Sequence, residues 1–166
     1  VDKVTHDYQG LCITRTNPVS MKKQYDLQKT PILWLSDVKD TKVFSSSDLL
    51  LISKLILDFI GKAERSIILL DRIDYLIVKH GFHEVLKLII KLNDRVMVSN
   101  AILLVPVDPS LLKAEEFTFL EKELQVLPEA GEEMDLPPDI MKILALIANW
   151  KALGRIVTFK DIAHEL

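Results

Sequence analysis

The sequence predicts an α/β fold, a mostly parallel sheet with helices on both faces, and three observations carry that expectation. Four short apolar runs are separated by segments whose apolar residues recur at helical spacing. The runs are apolar at consecutive rather than alternate positions, which is the pattern of strands covered from both sides. Two of them, SIILL and AILLVPV, stop at an acidic residue, Asp71 and Asp108. Strand and helix alternating four times give a three-layer architecture in which each helix covers the sheet between parallel strands.

Taken in order, Gly10 to Arg15 (GLCITR) is the first strand. Thr16, Asn17 and Pro18 follow it, and Asn at the cap with Pro at the first helical position starts a short helix over Val19 to Tyr25. Thr30 to Ser36 (TPILWLS) is the second strand, with Pro31 tolerated because it lies near the start. The polar cluster SSSD then caps a helix in which Leu49, Ile52, Leu55, Ile56, Phe59 and Ile60 fall on one stripe, ending near Gly61. Ser66 to Leu70 is the third strand. Tyr75 to Val98 has helical period, and Gly81 divides it into a short first part and a longer second. Ala101 to Val107 is the fourth strand, and Asp108 with Pro109 signals another helix start.

With 166 residues, 49% of them apolar and 27% charged, the chain has the material for one core plus a small appendage. The expected division is an α/β domain over residues 1–127, an acidic, proline-rich linker over 128–138, and a small helical tail over 139–166. The charge supports the linker, because residues 113–135 hold 2 basic and 8 acidic groups while residues 1–112 hold 15 and 13. A broad basic face of the kind that grips a phosphate backbone is therefore not expected. No apolar run reaches the roughly 18 residues of a membrane span, since Lys54 and Asp58 interrupt the most hydrophobic stretch. A cytoplasmic protein with no membrane partner is expected. Val1 in place of Met suggests a piece of a longer reading frame.

The ends of parallel strands gather on one edge, where helix N-termini present free N–H groups to ligands. Candidate ligand-binding residues at that edge are Arg15, Thr16 and Asn17, then Ser36, then Asp71, Arg72 and Asp74, and finally Asp108. Asp71 is the most suggestive, because an Asp closing an apolar strand is how nucleotide-hydrolysing folds hold Mg²⁺ through water. The glycine-rich loop ending in Lys and Ser or Thr that would cradle the phosphates is missing: Gly10, Gly61, Gly81, Gly131 and Gly154 bracket no such spacing, and no GxGxxG occurs. The bland reading of Asp71 and Asp74 is helix capping. For Arg15 the expected role is a salt bridge or a bond to carbonyls at the sheet edge. His80 and His83 straddle Gly81 without zinc-ligand company, and no GxSxG elbow exists. Cys12, the single cysteine, sits in the run LCI and is expected to be a buried structural thiol. No cofactor, metal or catalytic residue is expected.

GLCITRTNP, TPILWLS, LLDRIDYLI followed by GF and VL, and AILLVPVDP, in that order, resemble an archaeal family catalogued as domain of unknown function 835. The resemblance runs from Gly10 to Leu124. It implies a degenerate relative of RecA-like, P-loop ATPases that keeps the strand-Asp segment and lacks the phosphate loop, in proteins often joined to sensory or DNA-binding modules. The family pattern more often has Gly where this chain has Arg72, and a side chain there would narrow the approach to Asp71. The tail, from Ile140 to Trp150 and then TFKDIAHEL, resembles the first half of a winged helix. The helix that would enter a major groove should come next, so DNA binding is expected only if the chain continues beyond Leu166.

Two expectations of function follow. The first is a non-catalytic interaction or signalling domain in a regulatory protein, docking another protein or, as a homodimer, its own copy. The second is a divergent nucleotide-binding protein or weak NTPase that uses Asp71 and Arg15.

Overall fold

Among the described residues, four strands and five α-helices follow in the order β1 (Gln9–Thr14), α1 (Pro18–Tyr25), β2 (Ile32–Trp34), α2 (Leu49–Lys62), β3 (Ser66–Leu70), α3 (Ile73–His80), α4 (Phe82–Met97), β4 (Ala101–Leu104) and α5 (Ala114–Glu123). The structure is a computed structural model and describes residues 8–25, 30–38 and 46–126. The described strands form one sheet in the order β2-β1-β3-β4, and all three pairings are parallel. An α/β fold with a parallel sheet is what the apolar runs predicted. Residues Tyr8–Leu124 form one compact unit. The expected linker and tail, 128–166, lie outside the described residues.

Local signals explain where most elements begin. Asn17 accepts a bond from the Val19 amide at 2.9 Å and Pro18 opens α1. Asp48 takes the amides of Leu50 and Leu51 at 2.8 and 3.0 Å, which satisfies two of the donors that a helix start leaves unpaired. Gly81 has φ 85°, a backbone state open to glycine, and there the chain leaves α3 and enters α4. On α4, Val85, Leu88, Ile89 and Leu92 are buried, the i, i+3, i+4, i+7 pattern of a helix laid on a core.

Two expectations need correcting. The second and fourth strands are shorter than Thr30 to Ser36 and Ala101 to Val107. Pro31 and Pro106 lack the N–H that a ladder requires, so pairing cannot run through them in full. The helix start at Asp108 and Pro109 yields only a 3-10 turn, Pro109–Leu111. Leu112 then turns extended and packs against the core, and the α-helix begins at Ala114, where Glu116 reaches back to the Lys113 amide at 3.1 Å.

Register places Leu11 beside Ile68 and Ile13 beside both Leu70 and Leu33, so these share one face of the sheet. They join Ile52, Ile56 and Ile60 of α2, Leu76 of α3, the α4 stripe and Leu120 of α5 in a single core. Cys12 points to the other face, where its sulfur meets that of Met21 on α1 at 4.0 Å. Right-handed crossovers account for the division: β1 to β2 runs one way across the sheet, while β2 to β3 and β3 to β4 run the other. Among the described residues, no helix is long and apolar enough to cross a membrane.

Ser53 of α2 is buried, and its hydroxyl has no hydrogen-bond partner. Ser53→Ala is therefore expected to unfold in urea at no lower concentration than the wild type, because the alanine leaves no unpaired polar atom. Ile13→Ala, at a fully buried position, should lose about 2–5 kcal/mol in the same measurement.

Candidate functional site

The switch in direction between the first crossover and the later ones lies between β1 and β3, which are neighbours although α1, β2 and α2 separate them in sequence. Beyond the carboxyl ends of such a pair the connections diverge and leave a crevice, the usual ligand site of doubly wound sheets. Here β1 ends at Thr14 and β3 at Leu70, with Asp71 held beside β1 by a 2.9 Å bond from its amide to the Ile13 carbonyl.

Thr14 organises this junction. Its hydroxyl donates to Asp71 Oδ2 at 2.9 Å and accepts from the Thr16 amide at 3.1 Å, so one buried side chain fixes both strand ends. Arg15 makes the expected bond to a carbonyl at the sheet edge, with Nη1 2.6 Å from Leu35 O. Its guanidinium also lies 4.2 Å from the centre of the Tyr75 ring, an attractive cation-π geometry. The indole Nε1 of Trp34 donates to the Arg15 carbonyl at 3.0 Å. Arg15, Thr16 and Asp71 thus come together at these strand ends, and Thr14 and Tyr75 join them. A lone polar residue closing the apolar run of β1 was the available signal for Thr14.

The other candidates occupy local positions. Ser36 is buried and accepts from the Val38 amide at 3.1 Å. Asn17 caps α1, and Asp108 takes the Ser110 amide at 2.9 Å in its own turn beyond β4. Asp71 is not the expected cap of α3: the cap position is Arg72, which makes no side-chain cap bond. Arg72 adopts φ 64°, the left-handed region that a non-glycine residue enters at a cost. Its guanidinium clasps Asp74 in a two-pronged bond, Nε to Oδ1 at 2.9 Å and Nη2 to Oδ2 at 2.8 Å. That bond holds the Asp74 carboxyl below the usual carboxylate range. The clasp accounts for Asp74 as a partner of Arg72 rather than as a simple cap.

A second polar cluster stands at the far end of α3. Lys79 Nζ bonds both the Asp37 carboxylate and the Ser47 hydroxyl, Ser47 also bonds Asp37, and His80 Nε2 lies 2.7 Å from the Ser47 carbonyl. These groups come from three segments far apart in sequence, and nothing in the sequence pairs them. The Lys79 bond, followed by that from Ser47, lowers the Asp37 pKa, while Asp37 raises that of Lys79. A lysine held protonated in this way cannot serve Ser47 as a general base, which requires the neutral amine. Cys12 is equally unreactive, since burial and the nearby Asp71 charge push its thiol up to about 12. Among the described residues no group of three His, Cys, Asp or Glu side chains is placed to hold a metal ion.

A protein-family model described as Protein of unknown function (DUF835) matches residues 1–124. No curated protein matches.

Two outcomes follow from the clasps. Arg72→Gly and Arg72→Ala both lose the bond to Asp74, but only glycine is at ease at this φ, so the Gly variant should be the more stable by about 1 kcal/mol in urea unfolding. The carboxyls of Asp37 and Asp74 bind protons less readily folded than unfolded. Their contribution to stability is complete above the ordinary carboxylate value of about 4 and is lost as pH falls through their lowered values. Thermal melts from neutral pH into acid should therefore show a shallower decline for the double variant Asp37→Asn, Asp74→Asn than for the wild type.

Proposed function

Starting from the fact that the chain belongs to the DUF835 family, we propose that it is a non-catalytic interaction domain whose strand-end edge is built for shape rather than for turnover. One observation carries this reading. Arg15, Asn17, Ser36, Asp71, Arg72, Asp74 and Asp108 each bond within the chain, and β1 passes to α1 through only three residues, Arg15 to Asn17. Three residues without glycine cannot wrap a triphosphate in successive backbone amides, which is what phosphate-binding loops do.

The partner in this reading is a protein, or a second copy of the chain. Leu50 on α2 and Val78 on α3 support it: these apolar side chains are 80% and 87% exposed. Large apolar side chains exposed to this degree are the material of a docking surface. A regulatory role with a DNA-binding module in the same protein, and the P-loop ancestry implied by the resemblance, extend the proposal.

A second reading, a divergent nucleotide-binding protein, rests on Asp71 standing at the switch point beside β1. Thermal melting with Mg-ATP and Mg-GTP separates the two. Ligand at a hundred times its dissociation constant would stabilise a binding protein by about 2.7 kcal/mol, and we expect no shift. Light scattering at micromolar concentration is expected to report a dimer. A stabilised fold with nucleotide, or a monomer under those conditions, would count against the interaction reading.

A further inference from the structure

We draw no further inference here: the strongest candidate, the half-buried apolar patch of Ile67 and Leu69 on β3 with Ile102 and Leu104 on β4, on the face of the sheet turned away from the core, carries nothing because nothing in the structure shows what covers it.

Discussion

Five residue pairs join β1 to β3, from Gln9 opposite Ser66 to Ile13 opposite Leu70, and the remaining structure depends on this pairing. The two strands are separated in the chain by α1, β2 and α2, so bringing them together closes a long loop before any of its contacts are made. The return is the burial of Leu11, Ile13, Ile68 and Leu70 on one face under α2 and α4. A shift of one residue in a strand would turn this apolar row to the opposite face, so the register is fixed by the core it creates. The same register sets Asp71 against the end of β1, where the Thr14 hydroxyl meets its carboxylate. The polar contacts at these strand ends are thus a consequence of the sheet pairing.

At these strand ends, satisfaction of polar groups dominates. Asp71 and Asp74 are half-buried, and a carboxylate taken partly out of water is costly unless it is bonded, whereas Arg15 and Arg72 stay exposed. Asp71 is answered by Thr14, Arg15 by the Leu35 carbonyl and the Tyr75 ring, and Asp74 by Arg72. Surface ion pairs like the Arg72–Asp74 clasp add little net stability in general. Its significance is conformational, since it fixes the side chain of the single non-glycine residue found at positive φ among the described residues. Arg72 therefore turns toward Asp74, and the expectation that its side chain would lie across the approach to Asp71 has to be set against that bond.

The polar ties of α3 extend the same logic to the opposite side of the edge. Lys79 and His80 stand at the C-terminal end of the helix, where positive charge and N–H donors are favoured by the helix dipole. Asp37 and Ser47 supply the acceptors, and the buried Ser47 is satisfied by the contact. One short helix is thereby linked at its start to the switch point and at its end to the segments just after β2 and just before α2, while Ile73 and Leu76 anchor it in the core.

Features with a local cause could be read from residue type and spacing alone. The bounds Ser66 to Leu70, the break at Gly81 and the start at Asn17 and Pro18 follow from apolar runs, glycine and capping chemistry acting within a few residues. The same local signal at Asp108 and Pro109 produced a turn and not an α-helix, because Leu112 had a core to reach and only the tertiary structure supplies that demand. Strand order, the partner of Asp71, and the meeting of Asp37, Ser47 and Lys79 were likewise decided by the fold. The physical reason is separation: Thr14 and Asp71 stand 57 residues apart, and Lys79 and Asp37 stand 42 apart. No local propensity reaches across such distances, and only the packed sheet brings those side chains within bonding range.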